Sequence, residues 1–245
     1  VGDEAGTAIT TGDANTFVGF EAGKTVSTSS ENTAFGYQAL KLNAAGDGNT
    51  AIGVKAMDAN VTGDRNVAVG SDALGAMNPD SNADMYNTAV GYNAGAGVTT
   101  GTLNTLMGGL AGDAITTADE SVAIGYLALS ANTTADDNTA IGSHALTANT
   151  TGRINTAVGK GSMAANTTGQ DNSAFGGLTL DANTTGTGNT ALGYASLSSN
   201  TTADNNTAVG YLAGTAVTTG TQNTLIGSLA GDASQTGDAN VAVGY

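Results

Sequence analysis

The 245-residue chain contains no cysteine, no tryptophan and a single proline, Pro79. Without cysteine the chain can form neither a disulfide framework nor a thiolate metal site, and it gives no indication of a redox compartment. A collagen triple helix is excluded, because the 37 glycines lack both a three-residue spacing and accompanying proline. No apolar run is long enough to span a bilayer as a helix, and the first residues lack a signal-peptide pattern.

Positive charge is also scarce. Six basic residues face 21 acidic ones, so the formal net charge is -15. Binding to the phosphate backbone of nucleic acids needs clustered Lys and Arg, and an anionic membrane surface repels a chain of this charge. We therefore expect no nucleic-acid partner and no membrane insertion of this segment.

The dominant feature of the sequence is a repeat of the type Asn138-Thr139-Ala140-Ile141-Gly142. Its glycine, here called the phase glycine, recurs every 17 residues, with one step of 21 residues between Gly70 and Gly91. A fixed short period predicts a solenoid, in which each coil is stabilised by its neighbours. We expect one domain over residues 1–245, and we interpret the chain as a segment of a longer fibre because the repeat is cut at both ends. The phase glycines are Gly2, Gly19, Gly36, Gly53, Gly70, Gly91, Gly108, Gly125, Gly142, Gly159, Gly176, Gly193, Gly210, Gly227 and Gly244.

The residues before each phase glycine predict a strand with two different faces. An apolar residue such as Val158 or Phe175 directly precedes the glycine, and Thr or Val stands two residues earlier. Side chains two apart in a strand share a face, so we expect both columns to point into the coil. The alanines between them then form a small outward face that a second backbone can approach closely. The alanines of this candidate oligomer face are Ala51, Ala68, Ala123, Ala140, Ala157, Ala191 and Ala208.

A second short strand is expected after the phase glycine, where a small residue precedes Leu or Met, as in Ala145-Leu146 or Ser162-Met163. The rest of the unit, such as Asn149-Thr150-Thr151-Gly152, has turn chemistry. The fold class is therefore all-β, a parallel β-solenoid built as a flattened β-roll of about fourteen coils that rise roughly 4.8 Å each. Glycine, threonine and asparagine at these densities disfavour helix.

Asparagine occupies the fourth position before nearly every phase glycine, with Ser121 as the exception. Amides stacked in register can form hydrogen bonds from coil to coil, so we predict a structural ladder rather than a binding row. Its members are Asn15, Asn32, Asn49, Asn66, Asn87, Asn104, Asn138, Asn155, Asn172, Asn189, Asn206, Asn223 and Asn240.

Some coils depart from the pattern in consecutive pairs. Glycine replaces the Leu or Met in both coils, and the strand alanine of the second coil is enlarged to Phe17, Leu106 or Leu225. We interpret the two changes as volume compensation between neighbouring layers. The glycine pairs are Gly6 with Gly23, Gly95 with Gly112, and Gly214 with Gly231.

The four additional residues of the 21-residue step lie within residues 78–86. Proline with Asn and Asp predicts an exposed turn, which a tolerated loop insertion explains. The alternative is a contact loop with Met85 and Tyr86 as exposed apolar anchors. The candidate contact residues are Asn78, Pro79, Asp80, Met85 and Tyr86.

Residues that carry chemistry are few. The single histidine, His144, falls in a turn, and no set of nucleophile, base and acid can be assembled around it, so we expect no enzyme activity. Stacked carboxylates six residues before the phase glycine are oxygen ligands of the kind that hold Ca²⁺, but Arg153 and neutral residues interrupt the column. Solvated turn acids are the preferred interpretation, and no cofactor is expected. The column consists of Asp13, Asp47, Asp64, Asp119, Asp136, Asp204 and Asp238.

A second interrupted column follows the phase glycine and is aromatic. Two interpretations remain open for it, a ligand stripe and simple corner packing. Its members are Tyr37, Tyr92, Tyr126, Tyr194, Tyr211 and Tyr245.

The phrases Ser121-Val122-Ala123-Ile124-Gly125 and Asn87-Thr88-Ala89-Val90-Gly91 resemble the head repeats of trimeric autotransporter adhesins, the YadA-like family. The resemblance implies a left-handed β-roll, a homotrimer and attachment to host or environmental surfaces outside a bacterial cell. The 17-residue unit is longer than the usual head repeat of that family, and the coiled-coil stalk and membrane anchor are absent from this segment. Similar Asn-Thr-Ala-Val-Gly-Tyr repeats resemble segments of phage tail fibres, which places a virion fibre beside the bacterial surface as a location.

We therefore expect a non-enzymatic, adhesive surface fibre that attaches to a host, cell or abiotic surface by many weak contacts. A phage tail-fibre shaft or receptor-binding segment is one alternative. The other is an ice-binding β-solenoid that uses threonine rows such as Thr133-Thr134 and Thr150-Thr151.

Overall fold

The computed structural model of the chain describes residues 2–233 and 235–245. The described residues form an all-β fold without helix, a parallel β-solenoid of about 13 turns with about 17 residues in each turn. This confirms the fold class predicted from the period. The chain divides into two compact units, Val1–Ser121 and Val122–Tyr245.

In the first unit, six strands form a parallel sheet in the order β1-β2-β3-β5-β7-β8, and β4 pairs with β6 in a separate two-stranded sheet. The register repeats from coil to coil, so that Thr33 pairs with Thr50 and Ala34 with Ala51. The strands are β1 Thr16–Val18, β2 Thr33–Phe35, β3 Thr50–Ile52, β4 Gly63–Asp64, β5 Val67–Val69, β6 Ala83–Asp84, β7 Thr88–Val90 and β8 Thr105–Met107.

The second unit has one parallel sheet whose strands follow sequence order from β9 to β16. Its register is equally regular, with Ala140 paired to Ala123 on one side and to Ala157 on the other. The strands are β9 Val122–Ile124, β10 Thr139–Ile141, β11 Thr156–Val158, β12 Ser173–Phe175, β13 Thr190–Leu192, β14 Thr207–Val209, β15 Thr224–Ile226 and β16 Val241–Val243.

The second strand predicted for each coil is wrong. In the described coils the residues after the phase glycine form turns, in which the second and fourth positions adopt left-handed conformations, as in His144 (φ 61°) and Leu146 (φ 50°). A left-handed residue cannot continue a strand. Coil-to-coil bonding still continues there, since the Leu146 N–H donates to the Ser162 carbonyl at 3.1 Å.

The predicted orientation of the strands is also wrong. The strand alanines are fully buried inside the coil except Ala242 of the last strand, whereas the apolar column and the Thr column point outward. The reason is the width of the interior: buried Leu and Met side chains such as Leu146 and Met163 enter it from the turns, and only a small side chain fits opposite them. The proposed oligomer face is therefore core, and none of its members is exposed: Ala51, Ala68, Ala123, Ala140, Ala157, Ala191 and Ala208.

The variant coils support the same account of the interior. A Cβ added to Gly95 would lie 2.6 Å from Leu106 Cδ1, and one added to Gly112 would lie 2.8 Å from Leu106 Cδ2. Phe17 and Leu225 fill the space above their glycines in the same way. The volume compensation predicted from the sequence is thus confirmed, since one large strand residue replaces the side chains missing from two turns.

The phase glycines have a conformation and an environment that other residues do not accept. Gly142 has a φ of +131°, and a Cβ built on it would lie 2.5 Å from the carbonyl oxygen of Gly159 in the next coil. Both features recur along the column, so a side chain there collides with backbone rather than with a mobile group. The repeat glycine therefore sets how closely the coils stack.

Candidate functional site

The main candidate interaction surface is the outward side of the three-residue strands, which we call the strand face. It consists of the residue before each phase glycine and the residue two positions earlier. In the first unit Phe35 is 57% exposed, and Ile52 and Met107 are exposed as well. In the second unit Leu192 is 49% exposed, in the same column as the exposed Phe175 and Ile226. Each unit thus presents an apolar column to its surroundings, which is a common property of contact surfaces.

A column of hydroxyl groups runs beside the apolar column on the same face. In the second unit Thr139, Thr156, Thr207 and Thr224 are half-buried and Thr190 is exposed. Because strand partners are in register, neighbouring threonines are separated by the spacing of parallel strands, about 4.8 Å. The strand face therefore combines regularly spaced hydroxyl groups with apolar side chains.

Most of the asparagine column predicted as a ladder lies in the interior, whereas Asn15 is half-buried and Asn240 is exposed. The Asn155 backbone N–H donates to Asn138 Oδ1 at 3.1 Å, and the Asn155 amide nitrogen donates to the Gly169 carbonyl at 2.9 Å. Each amide therefore satisfies backbone groups of two coils, which is the demand that buried polar groups impose. The same backbone-to-amide bond links Asn15, Asn32, Asn49, Asn66, Asn87, Asn104 and Ser121 in the first unit, and Asn138, Asn155, Asn172, Asn189, Asn206, Asn223 and Asn240 in the second.

A second asparagine column was not recognised from the sequence. Asn166 donates to Asn149 Oδ1 at 2.9 Å and also to the carbonyl of Gly169 three residues ahead, which closes its own turn. The signal for this column is the recurring Ala-Asn-Thr-Thr segment, which also fits plain turn chemistry. The members are Asn43 and Asn60 in the first unit, and Asn132, Asn149, Asn166, Asn183 and Asn200 in the second, and all are fully buried.

The acidic column stabilises turns of the solenoid, which its interpretation as solvated acids does not predict. Asp119 Oδ1 accepts hydrogen bonds from the Thr102 backbone N–H at 2.7 Å and from the Thr102 hydroxyl at 3.0 Å, so it fastens the turn of the preceding coil. Equivalent backbone bonds reach Asp47, Asp64, Asp204 and Asp238. Asp136 forms an ion pair with Arg153.

The electrostatic environment differs along this column. The hydrogen bonds from Thr221 hold the pKa of Asp238 below its usual value. Burial raises the pKa of Asp64, although the bond from the Asp47 N–H opposes the shift. In the described part of the chain no group of three or more His, Cys, Asp or Glu residues is placed to hold a metal ion.

The insertion is anchored rather than free. Met85 is 1% exposed, so the expectation of an exposed anchor is wrong for this residue, and Pro79 is buried beneath the turn. Tyr86 is half exposed, and its hydroxyl donates to Asp84 at 3.1 Å. Arg65 pairs with Asp84 and lies 6.0 Å from the centre of the Tyr86 ring. Asn78 and Asp80 remain exposed, as predicted for the contact loop. The inward side chain of Met85 explains why the insertion packs: it fills the interior beside Gly63.

His144 contacts its neighbour Ser143 and a tyrosine of the preceding coil. Its Nδ1 lies 2.8 Å from the Ser143 hydroxyl, and its ring meets Tyr126 edge-on at 5.6 Å. Neither neighbour supplies the acid partner that orients a catalytic histidine.

No helix in the described residues is long and apolar enough to cross a membrane. Comparisons with models of protein families, with curated proteins and with solved structures find no match to this chain.

Proposed function

We propose that this chain is part of a non-enzymatic, adhesive surface fibre in which three copies associate through the strand face. The observation that carries the proposal is the exposed apolar column of that face, because apolar side chains that recur on a surface are stabilised by contact with another surface. The resemblance of the repeats to heads of trimeric adhesins favours a trimer, and the same arguments fit a segment of a phage tail fibre.

Adhesion follows from repetition in this proposal. Each coil presents nearly the same residues, so one trimer offers many equivalent contacts to a surface. Linked weak contacts can raise the overall affinity by about 10²–10⁴ relative to a single contact. The location in the proposal is extracellular, on a bacterial surface or a virion.

The oligomeric state tests the assembly. Light scattering coupled to size-exclusion chromatography is expected to give about 71 kDa for three chains of 23.7 kDa. Leu192→Asp places a charge in the apolar column at an exposed site, so it should fold and yield a mass near that of one chain. Leu178→Asp is the matched control, since Leu178 is an exposed leucine outside the strand face, at 39% exposure. A wild-type mass of one chain refutes the trimer, and equal masses of the two variants refute its interface.

The adhesive role is tested separately with coated beads. Beads carrying wild-type chain should attach to bacterial or animal cells, or to untreated polystyrene, more than beads carrying Leu192→Asp, because the variant loses multivalent presentation. Failure of wild-type beads to attach to any of these surfaces contradicts adhesion while leaving the assembly intact.

Ice binding is a second candidate because the structure places a threonine column and an apolar column together on the strand face. It requires this face to be free, so it excludes the trimer that buries it. A single-chain mass together with thermal hysteresis that disappears in Thr156→Lys would replace the adhesive proposal. A trimer without thermal hysteresis removes ice binding.

A further inference from the structure

A surface cavity of about 410 Å³ lies in the first unit, on the corner that follows the phase glycines. Its position results from one column of side chains, five residues after the phase glycine. The column carries Lys24, Lys41 and Asp58, and then shrinks to Gly75 and Ala96 in the next two coils. The missing side chains leave a hollow, and its volume lies within the roughly 300–1,000 Å³ of sites for small ligands.

In the described part of the chain, two polar side chains at the hollow are left without hydrogen bonds by the fold. In the coils before it, Lys24 and Lys41 both form ion pairs with Glu21, at 2.6 and 2.7 Å. The Lys55 ammonium group and the Asn93 side-chain amide line the hollow, and neither makes a hydrogen bond or an ion pair within the described residues. Donor and acceptor groups are therefore available at this site.

Two carboxylates complete the polar wall. Asp72 accepts a hydrogen bond from the Ser71 hydroxyl at 2.6 Å through Oδ2. Its Oδ1 accepts no hydrogen bond from the described residues and can bind a ligand. Asp58 also lines the hollow; burial raises its pKa, and the Lys55 charge counteracts this shift. With one ammonium and two carboxylates, the wall can donate to and accept from the same ligand, but it carries no excess of positive charge for an anion.

The aromatic wall is Tyr92, which is 61% exposed. Other aromatic residues of its column cover each other, as Tyr194 and Tyr211 do at 5.8 Å between ring centres. Tyr92 stands between Ser71 and a glycine in the neighbouring coils, so no ring among the described residues stacks on it. Its flat, electron-rich face is therefore open for packing against a ligand.

We propose that this hollow binds the end of a neutral oligosaccharide, with Tyr92 packed against a sugar ring and with Lys55, Asp72 and Asn93 bonded to its hydroxyl groups. A sugar fits because each hydroxyl both donates and accepts, and because the C–H face of a pyranose packs against an aromatic ring. The net charge of -15 disfavours acidic sugars and phosphate. The inference deepens the proposed adhesive function by naming a ligand class for one site.

Ligand-detected NMR with the wild-type chain tests the proposal, with maltose, cellobiose, lactose and N,N′-diacetylchitobiose as probes. At least one disaccharide should bind. Tyr92→Ala should weaken that binding by about tenfold, because it removes the aromatic platform. Ala96→Lys should abolish it by refilling the hollow with a residue type that the column already carries. Tyr126→Ala is the control: Tyr126 is an exposed tyrosine of the same column outside the cavity, and its loss should change nothing.

The other possible results of these binding experiments overturn the proposal or separate it from the adhesive function. Absence of binding to all four sugars, or binding that both cavity variants retain, overturns the proposal. Binding of tetramethylammonium instead of sugar also overturns it, since that result assigns Tyr92 and the carboxylates to a cation. If sugars fail to bind but coated beads still attach to surfaces, only this inference fails. If sugar binding depends on the cavity but the beads do not attach, the adhesive function fails and the binding site stands.

Discussion

Replacement of the phase glycine Gly142 by alanine should destabilise the second unit strongly. The substitution adds one methyl group at a φ of +131°, a region that residues with a side chain rarely adopt. The added Cβ would lie 2.5 Å from the Gly159 carbonyl oxygen and 2.6 Å from the Gly159 carbonyl carbon. The obstacle is backbone, so no side-chain rotation relieves it.

The magnitude follows from two contributions. The strained backbone conformation costs about 1–3 kcal/mol. Ordinary contact begins at 3.4 Å, so the two coils must separate locally by about 0.9 Å from the 2.5 Å of the unrelaxed contact. That movement stretches the hydrogen bonds between these two coils, from the Thr139 N–H to the Asn155 carbonyl at 2.8 Å and from the Gly159 N–H to the Ile141 carbonyl at 2.7 Å, at about 0.5–1.5 kcal/mol each. The expected loss is about 2–6 kcal/mol, a large share of the 5–15 kcal/mol typical of a folded domain.

Urea unfolding followed by far-ultraviolet circular dichroism measures this loss. Gly177→Ala is the matched control in the same unit, because Gly177 has no left-handed φ and its added Cβ would meet nothing closer than Tyr194 at 3.6 Å. The control should stay within about 0.5 kcal/mol of the wild type. Equal unfolding midpoints for Gly142→Ala and Gly177→Ala would refute the view that glycine sets the stacking of the coils.

Three further substitutions test the interior, the charges and the backbone. Leu106→Ala should cost about 2–5 kcal/mol in urea unfolding, and adding Gly112→Leu should recover part of the loss by refilling the same space. Asp181→Asn should raise the free energy of unfolding at pH 7 and flatten its rise on acidification. Burial raises the folded pKa of Asp181, so stability falls as pH increases through the window above the unfolded value. Ile154→Asn should raise the Tm by about 2–4 °C, because an exposed β-branched residue with a φ of 58° gives way to one that tolerates this conformation.

Matched variants serve as controls for these predictions. A further loss when Gly112→Leu is added to Leu106→Ala would contradict a shared interior. Asp238→Asn should act in the opposite direction at pH 7, since the Thr221 bonds lower the pKa of Asp238 and its stabilisation is lost as pH falls through the folded value. A gain in that variant would contradict the charge argument. Val54→Asn makes the same change of polarity at an exposed position without a left-handed φ, so an equal rise in Tm there would contradict the backbone argument.

The period predicted the solenoid, the register and the position of the strands, because all three follow from stacking identical units. It did not predict which strand face is internal, because alternation defines two faces without ranking them. The decisive information lay in Leu106 and its glycines. If Leu106 compensates for Gly95 and Gly112, the strand alanine and the turn leucine must meet inside the coil. The compensation of volume between Leu106 and these glycines indicates the internal face, which the size of the apolar residues does not.

The second strand was mispredicted for a different reason. Leucine in a left-handed conformation is rare, and no local preference indicates it. At Leu146 the conformation is held by tertiary structure, through full burial of the side chain and the backbone bond to Ser162 in the next coil. Glycine at the same position in the variant coils, as in Gly95 with a φ of +58°, was the available signal for such a backbone.

The interior of the chain does not require the apolar column of the strand face. The interior is filled by alanine and leucine, and its asparagines find their hydrogen bonds inside each unit, so folding does not require a partner to satisfy them. Strand preference does not explain the column either. Threonine is also β-branched, and the neighbouring column on the same face shows that a polar residue suits this backbone. Threonine at the positions of Phe175 and Leu192 would expose less apolar surface to water than these residues do. In the proposed trimer, contact removes this surface from water, and Leu192→Asp separates that contact from folding.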